Sequence, residues 1–318
     1  MSAESSPALL ALDWGTTSLR AFLVAADGTV AEHRTAPLGI LQVKDGAFAE
    51  ALKEIAGPWL ARHPALPILA SGMIGSRQGW REAPYAEAPA GLSELARGLV
   101  AVDGRRGRRL WLVPGIATRA KGGPPDVMRG EETQMLGALA ASAARDEATV
   151  FVLPGTHSKW ALLEAGRIAW FATFMTGELY AVLKSHSILG RPMVGEAADR
   201  ASFRRGLACA ADNSPAAGAL LHKLFSARTL ALFDELPAGG IASYLSGLLI
   251  GSELAEALPI VAARLGAAPE RVTLIGEAAL TELYAAALAE RRIAARLAAA
   301  DATARGLLAI ARAAGLLI

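Results

Sequence analysis

The sequence has very few of the side chains that form disulfides or metal centres. Cys209 is its only cysteine, and its five histidines are scattered, with none spaced as a ligand pair. A single cysteine cannot form an internal disulfide or a thiolate metal site. The histidine spacing likewise argues against a histidine-built metal site. Because structural disulfides belong to oxidising compartments, we expect a cytoplasmic protein.

The chain also lacks a large net charge. Its formal net charge is +2, which argues against a nucleic-acid-binding surface. One basic cluster, at residues 105–109, follows Asp103-Gly104. We interpret it as a solvated hairpin turn that leads into a strand at residues 110–113.

No long uncharged hydrophobic run is present. The most hydrophobic region, residues 241–263, contains Glu253 and Glu256, whereas a membrane-spanning helix needs ~20 mostly uncharged residues. Residues 1–7 show no basic stretch followed by an apolar core, so no secretory signal is visible. We therefore expect no membrane partner.

What the sequence does contain is enough apolar residues for two packed domains. Its 318 residues are 53% hydrophobic, and a domain typically has ~100–200 residues. Each half opens with the pattern strand, glycine turn, strand, which suggests a duplication and predicts an α/β fold. We place the domains at residues 1–145 and 146–318, and we expect the last helix, residues 302–314, to pack back on the first domain. The predicted opening strands are residues 9–12, 20–25 and 29–35, then 149–153, 160–164 and 168–174.

Two glycine-threonine turns, each between strand-like runs, are the strongest functional signal. Glycine lets the backbone approach a ligand, and consecutive N–H groups with hydroxyls can then wrap an anion. Two such turns could hold one polyphosphate from both sides, which suggests ATP. Taken alone, the first turn is equally compatible with an ordinary β-hairpin. The predicted phosphate-binding residues are Gly15, Thr16, Thr17 and Ser18 in the first turn, and Gly155, Thr156, His157 and Lys159 in the second.

Asp13, at the end of the first strand, is the candidate metal ligand. Magnesium that bridges nucleotide phosphates is usually held by only one or two carboxylates and by water. We therefore expect Mg²⁺ near Asp13. For Lys159, one of six lysines in the chain, the alternative to phosphate binding is a strand-edge lysine facing water.

Arg129-Gly130-Glu131-Glu132 provides the candidate catalytic residues. The two acids begin a predicted helix, where the helix dipole alone would favour them. The functional interpretation is that Glu131 or Glu132 accepts the proton of an attacking hydroxyl while Arg129 binds a carboxylate or the transferring charge. The sequence does not choose between the two glutamates.

Further loops at strand ends are candidates for substrate binding. The glycine-rich stretch at residues 71–80 follows a strand, and Arg77 could pair with a substrate carboxylate or simply lie on the surface. A second junction, at residues 173–178, leads from a strand to a helix and is equally compatible with helix capping. Gly276, after the last clear strand, could admit adenine or ribose. The candidate substrate residues are Gly72, Ser76, Arg77, Thr176 and Gly177.

In this order, the motifs resemble the superfamily of sugar kinases, actin and heat-shock chaperones. Within it, residues 13–20, 72–80, 128–134, 154–160 and 175–179 look like 2-dehydro-3-deoxygalactonokinases. The resemblance implies two ribonuclease-H-like domains with a nucleotide cleft between them. It also implies ATP-dependent phosphorylation of the 6-hydroxyl of 2-dehydro-3-deoxy-D-galactonate in galactonate breakdown. Glu277 departs from the small residue that the resemblance leads us to expect beside the nucleotide, and glutamates stand where the superfamily usually has an aspartate base.

Two other functions fit the same turns. One is a kinase for another sugar or sugar acid, because phosphate turns do not choose the acceptor. The other is a non-catalytic nucleotide-binding regulator. That reading normally requires a DNA-binding module, for which we see no space before Leu9 and no basic helix elsewhere. As partners we expect a small sugar acid, and we allow for a homodimer.

Overall fold

The structure is a computed structural model that describes residues 6–104, 108–119, 122–141, 147–195, 198–214 and 218–317. The chain divides into two compact units. Unit 1 comprises Met1–Ala148, Leu163–Phe171 and Ala298–Ile318, and unit 2 comprises Thr149–Leu162 and Ala172–Leu297. A single cut between residues 145 and 146 therefore does not describe this division, because two later segments belong to unit 1.

Strands predominate up to Phe174, and helices predominate after it. Those before residue 148 are β1 (Pro7–Trp14), β2 (Leu19–Ala25), β3 (Val30–Ala36), α1 (Phe48–Arg62), β4 (Ile68–Ser71), β5 (Tyr85–Glu87), β6 (Ala90–Gly91), α2 (Leu92–Arg97), β7 (Val100–Asp103), β8 (Arg109–Leu112), β9 (Gly115–Arg119), β10 (Pro125–Met128) and α3 (Glu131–Ala140). Those after it are β11 (Thr149–Leu153), β12 (Ser158–Glu164), β13 (Arg167–Phe174), α4 (Thr176–His186), α5 (Arg200–Ala211), α6 (Leu220–Leu224), α7 (Ser226–Leu232), α8 (Ile241–Leu265), β14 (Arg271–Leu274), α9 (Ala278–Ala289), β15 (Ala294–Leu297) and α10 (Ala302–Ala313).

The main sheet of unit 1 has the strand order β3-β2-β1-β4-β8-β7. Strands β1, β2 and β3 form an antiparallel meander, and β4 joins β1 in parallel. Strand β1 is nearly all buried, whereas β3 alternates between exposed and half-buried residues as a partly solvated strand should. The parallel register sets Asp13 beside Ser71, so the loops that follow β1 and β4 begin at the same edge of the sheet.

Aromatic packing anchors those two loops to the core of unit 1. The Trp14 ring meets the rings of Phe48 and Trp80 edge-on, and the rings of Phe48 and Trp80 stack with centroids 6.0 Å apart. The Trp14 indole N–H also donates to the Leu38 carbonyl at 2.7 Å. Such pairs add stability beyond burial alone, so the residue before the first turn and the end of the glycine-rich loop share one support.

The segments that rejoin unit 1 do so through specific pairings. Strand β13 pairs with β6 through Arg167 and Ile168. Helix α10 packs on α3 and β1. The α3–α10 contact is very close, because a Cβ on Gly306 would lie 1.9 Å from the Thr133 carbonyl oxygen. Helix α10 therefore supports the first turn of α3.

A second large sheet has the order β15-β14-β11-β12-β13-β6. Strand β14 runs parallel to β11, and β15 runs parallel to β14. Leaving out the outer strands β6 and β7, the two sheets share one pattern: three sequential strands followed by two strands on the far side of the first. The molecule is a mixed α/β protein, as predicted.

The predicted opening strands of both halves and the predicted last helix, residues 302–314, are confirmed. Residues 220–232 form two separate helices, α6 and α7. The Ser226 hydroxyl donates to the Lys223 carbonyl at 2.6 Å there and competes with the helical hydrogen bonds. Strands β7 and β8 pair as a hairpin, but residues 105–107 of the basic cluster lie outside the described residues.

One described stretch, Ala238–Leu265, is long and apolar enough to cross a membrane by length and composition alone. More than half of its most apolar window, 56%, is buried inside the protein. It includes α8, which packs against α5, α4 and α9 in unit 2. This is the behaviour of a core helix, and it is weak evidence for a membrane span.

Candidate functional site

In unit 1, the carboxylate of Asp13 forms the polar end of β1. Asp13 and Arg20 are partners across the β1–β2 pair, and the Arg20 guanidinium donates to the Asp13 carboxylate. Burial raises the pKa of Asp13, while the neighbouring Arg20 charge and hydrogen bond oppose that rise. The predicted metal ligand Asp13 thus has a cationic partner, which the β1–β2 register places opposite it.

The first glycine turn begins directly after Trp14. Its geometry is set by backbone hydrogen bonds, from Gly15 N–H to the Ser18 carbonyl at 2.9 Å and from Ile40 N–H to the Gly15 carbonyl at 3.0 Å. Thr16 and Thr17 are exposed, and Gly15 and Ser18 are half-buried. The turn is thus held from behind and presents its hydroxyls to solvent, as an anion-binding turn should.

Three segments that are distant in sequence meet beside this turn. Gly72 has φ +94°, and a Cβ there would lie 2.8 Å from the Trp14 carbonyl oxygen. Gly130 has φ +110°, and its Cβ would lie 3.2 Å from the Gly72 Cα. Only glycine fits such backbone contacts at these angles. The Asp13 turn, the glycine-rich loop and the start of α3 are therefore neighbours within unit 1.

The two candidate arginines of unit 1 lie in different environments. The Arg129 guanidinium lies over the Tyr85 ring at 4.3 Å and donates to the Ala83 carbonyl at 2.7 Å. Among the described residues, its Nε and Nη1 are buried without a hydrogen-bond partner, as are the hydroxyls of Ser71 and Ser76 in the nearby loop. Arg77, in contrast, has a side chain that is 86% exposed and pairs with Glu82 at 3.0 Å.

The two candidate bases are also distinguished by their surroundings. Glu132 is fully buried, and its carboxylate accepts from the Gly130 N–H at 2.7 Å and from the Thr133 hydroxyl at 2.9 Å. Burial, with the nearby Glu131 charge as the second cause, raises the pKa of Glu132 to about 7. Glu131 is half-buried and accepts from the Arg129 N–H at 2.9 Å.

The second glycine turn, in unit 2, is built against the start of α4. A Cβ on Gly177 would lie 2.2 Å from the Gly155 carbonyl oxygen, and the Glu178 N–H donates to the Thr156 carbonyl at 2.9 Å. The side chains of His157 and Glu178 meet at 2.5 Å. Gly155 itself has open space where a Cβ would lie. Thr156 and His157 are exposed.

Two other predicted residues of unit 2 have clear positions. Lys159 is only 4% exposed, so the alternative of a strand-edge lysine facing water is wrong. Gly276 follows β14, and a Cβ there would lie 3.2 Å from the Pro154 carbonyl oxygen. Gly276 thus adjoins the residue before the second turn. Glu277 caps α9 by accepting from the Ala279 N–H.

Sequence reasoning missed Glu253, a buried residue of unit 2 that accepts several side-chain hydrogen bonds. Glu253 lies on α8 and is 3% exposed. Its carboxylate accepts from the Ser158 hydroxyl and the Trp160 indole, each at 2.7 Å, from the Tyr284 hydroxyl at 2.5 Å, and from the Thr176 hydroxyl. The sequence does contain a signal for this residue, namely a glutamate inside an apolar helix. Such a glutamate is expected to have hydrogen-bond or ionic partners, because buried charges are almost always paired.

Asp13 suits only a hard cation whose other ligands come mostly from phosphate and water and not from the protein. Within the described ranges, no group of three or more histidine, cysteine, aspartate or glutamate side chains could hold a metal ion. A single buried carboxylate fits magnesium held chiefly by phosphate oxygens and water. It does not fit a metal centre built entirely by the protein.

The fold and the candidate sites define the class of this protein, and comparison with known proteins identifies its family. Sheets flanked by helices, with glycine turns after β1 and β11, make a mixed α/β protein whose candidate ligand sites lie at strand ends. The family model described as 2-keto-3-deoxy-galactonokinase matches residues 13–310. The chain therefore belongs to the 2-keto-3-deoxy-galactonokinase family.

Individual relatives agree with this membership. A 2-dehydro-3-deoxygalactonokinase of Escherichia coli (strain K12) is 36% identical over 279 residues, which cover 86% of this chain and 87% of that protein. A protein of Rhizobium meliloti (strain 1021) named probable 2-dehydro-3-deoxygalactonokinase is 39% identical over 308 residues, 95% of this chain and 96% of that one. A crystal structure of a Sinorhizobium meliloti protein provisionally assigned to the same kinase matches with a TM-score of 0.83 at 38% identity, over 96% of this chain and 98% of that chain.

Proposed function

We propose that this protein transfers the γ-phosphoryl group of ATP to the 6-hydroxyl of 2-dehydro-3-deoxy-D-galactonate, giving the 6-phosphate and ADP, in the cytoplasmic breakdown of galactonate. Family membership over residues 13–310 is the observation that carries the proposal. It is supported by two glycine turns whose backbones are fixed and whose polar residues reach solvent.

We further propose that the protein consists of two ribonuclease-H-like domains. The support is the repeated strand order, β3-β2-β1-β4-β8 in one sheet and β13-β12-β11-β14-β15 in the other. The Gly15 turn joins β1 to β2, and the Gly155 turn joins β11 to β12. We propose that the Gly15 turn and the Gly155 turn each bind nucleotide phosphate through backbone N–H groups and hydroxyls, with Gly276 beside the adenosine.

Asp13 would hold Mg²⁺, which would neutralise phosphate charge during transfer. The Asp13–Arg20 pair keeps this carboxylate oriented at the end of β1. Helix α3 begins beside Gly72, so its first acids are held near the same strand end. This arrangement suits phosphoryl transfer, in which positioning and charge stabilisation contribute most of the catalysis.

Glu131 is the better candidate for the general base. It is half-buried, whereas Glu132 is fully buried and its two oxygens accept hydrogen bonds from Gly130 and Thr133. In the proposed step the 6-oxygen bonds to the γ-phosphorus, the bond to the bridging oxygen breaks, and the hydroxyl proton passes to Glu131. Glu132 then serves to position the Gly130 backbone.

Arg129 is the better candidate for binding the substrate carboxylate. Its Nε and Nη1 are buried without partners in the part of the chain that the structure describes, and a guanidinium can bind a carboxylate through two parallel hydrogen bonds. Ser76, whose hydroxyl is also unpartnered, lies in the adjacent loop, and Gly72 brings that loop against Trp14. Arg77 is committed to a surface ion pair and is not needed for this role.

A coupled assay for ADP tests the proposed reaction. The acceptors are 2-dehydro-3-deoxy-D-galactonate, its gluconate epimer, plain hexoses, and no acceptor. We expect ADP release to depend on the galactonate derivative and to exceed that with its epimer. Preference for another sugar would reassign the acceptor, and tight ATP binding without any acceptor-dependent ADP release would indicate a nucleotide-binding regulator. A homodimer stays a prediction for light scattering to check.

A further inference from the structure

Glu253 connects three parts of unit 2 that are far apart in the chain. Ser158 and Trp160 lie on β12 just after the second glycine turn, Thr176 is the first residue of α4, and Tyr284 lies on α9. All of them donate to the one carboxylate of Glu253. The exit of the turn and the beginning of α4 are therefore tied to the same buried group.

The opposite side of the turn is fixed by α4 itself. The Gly155 and Gly177 backbones are in contact, and the Thr156 carbonyl accepts from the Glu178 N–H. Because Glu253 fixes Thr176, it also fixes the helix end on which the turn rests. The turn is thus constrained directly through Ser158 and indirectly through Thr176.

These contacts also commit two hydroxyls that could otherwise face a ligand. The Ser158 and Thr176 hydroxyls donate to Glu253, so their protons are directed towards α8. The turn then presents its backbone N–H groups and the exposed Thr156 to an anion. This arrangement changes the predicted role of Thr176 from substrate contact to support of the nucleotide turn.

We propose that Glu253 is a positioning residue for nucleotide binding, which holds the second turn and the start of α4 in one arrangement without touching the nucleotide. This inference rests on the proposed function, in which that turn binds phosphate. The alternative is that the network only stabilises the core of unit 2. The two differ in one respect: positioning alters nucleotide affinity in folded protein, and stabilisation alone does not.

The electrostatics suit a fixed hydrogen-bonding centre. Burial raises the pKa of Glu253, and the hydrogen bonds from Thr176, Tyr284, Trp160 and Ser158 oppose that rise. Burial, followed by the Glu253 charge, raises the pKa of Tyr284 well above its usual range. Tyr284 therefore stays protonated and keeps donating. Buried networks of this kind are rigid when every member is satisfied.

The test compares Glu253→Gln and Thr176→Val with Glu256→Gln, which changes an exposed glutamate on the same helix. ADP affinity is measured by calorimetry on the full-length protein, and the KM values of ATP and the sugar acid are measured where turnover allows. We expect the Kd of ADP and the KM of ATP to rise about fivefold or more in both variants, the effect of losing roughly one net hydrogen bond. The KM of the sugar acid should change less than twofold, and Glu256→Gln should match the wild type.

A double variant and a rescue separate positioning from general damage. If Glu253 acts through Thr176, the combined variant should bind ADP no more weakly than the worse single variant, since coupled residues are not additive. Thr176→Ser, which restores the hydroxyl, should recover affinity. Unchanged ADP affinity in folded Thr176→Val and Glu253→Gln would overturn the inference. If the wild type released no ADP in response to an acceptor, the proposed function would be overturned instead. Calorimetry would still measure the effect of Glu253 on ADP affinity.

Discussion

The Asp13 carboxylate accepts a hydrogen bond from Arg20 across the first hairpin, so the candidate magnesium ligand already has a cationic partner. Burial raises the pKa of Asp13, and Arg20 opposes that effect. Arg20 therefore favours the ionised form of a carboxylate that burial disfavours. This relationship predicts how the pH dependence of activity responds when the partner is removed.

Arg20→Gln should move the acidic limb of the pH–rate profile to higher pH. Without the guanidinium, burial is less opposed and the pKa of Asp13 rises further, so the ionised form disappears at a higher pH. The limb should move upward in pH, since a nearby positive charge favours the ionised carboxylate and its removal disfavours that form. The measurement is kcat/KM for ATP against pH at saturating Mg²⁺.

Arg62→Gln is the matched control, because Arg62 pairs with Glu32 on the surface of the same unit. Its acidic limb should coincide with that of the wild type. Arg20→Lys, which keeps the positive charge, should leave the limb close to its wild-type position. An unshifted profile in Arg20→Gln would show that Asp13 does not set the acidic limb.

Alanine substitutions at Gly155 and Gly177 should affect ATP binding and folding stability differently. Gly155 has open space at its Cβ position, whereas a Cβ on Gly177 would meet the Gly155 carbonyl oxygen at 2.2 Å. Gly155→Ala should therefore change the free energy of unfolding by no more than about 1 kcal/mol but raise the KM of ATP at least about tenfold, because the methyl group occupies the approach of the phosphate. Gly177→Ala should lower the free energy of unfolding by roughly 1–3 kcal/mol.

Urea unfolding and initial-rate kinetics on both variants check this prediction. A normal KM for ATP in stable Gly155→Ala would contradict phosphate binding at this turn. Gly57→Ala on α1 serves as the control, since a Cβ there meets only the flexible Lys53 side chain at 3.5 Å.

Arg129→Lys should selectively weaken binding of the sugar acid. Lysine keeps the positive charge but cannot form two parallel hydrogen bonds to a carboxylate. We expect the KM of the sugar acid to rise about tenfold or more, as for loss of a hydrogen bond to a charged group, with the KM of ATP nearly unchanged. An acceptor in which the carboxylate is reduced to an alcohol should not distinguish Arg129→Lys from the wild type.

Arg77→Ala is the comparison for that experiment. Exposed ion pairs such as Arg77–Glu82 are worth only about 0–1 kcal/mol, so the variant should keep its kinetic constants within about twofold. A large rise in the KM of the sugar acid in Arg77→Ala, with no change in Arg129→Lys, would reverse the assignment.

The sequence was informative wherever local patterns determine structure. The opening strands could be predicted because apolar alternation and glycine turns are local signals. Strand β15 could not, since Ala294–Leu297 is wholly exposed and reads Ala-Ala-Arg-Leu, without a strand-like pattern. It forms by pairing with β14, a tertiary effect that overrides local preference.

The individual motifs of the candidate site could be predicted from the sequence, but the contacts between motifs that are distant in the chain could not. The parallel pairing of β1 with β4 brings Gly72 against Trp14, 58 positions earlier in the chain, and no local pattern encodes that contact. Glu253 and Ser158 are 95 residues apart. A glutamate in an apolar helix argues against a membrane span, but its hydrogen-bond partners follow only from the tertiary packing that brings β12, α4 and α9 to α8.

Glutamine substitutions should identify the base on α3. Glu131→Gln is expected to lower kcat about 10²–10⁴-fold, the usual contribution of a general base, with little change in either KM. Glu132→Gln should retain clearly more activity, because Glu132 is buried and supports Gly130. Single-turnover rates of both variants provide the measurement, and the opposite ranking would assign the base to Glu132.

Glu132 should also make folding stability depend on pH. Its pKa is about 7 in the folded protein against an ordinary value of 4.5, so between these values the folded state holds a proton that the unfolded state has released. The free energy of unfolding therefore falls as pH rises through this window, by up to roughly 3 kcal/mol at 1.36 kcal/mol per pH unit. Glu132→Gln cannot titrate, so the difference in unfolding free energy, wild type minus variant, should decrease from pH 4.5 to 7 and then level off. Urea unfolding across this range measures it, with Glu54→Gln on the exposed face of α1 as control; a difference that does not vary with pH would show that Glu132 ionises normally in the folded protein.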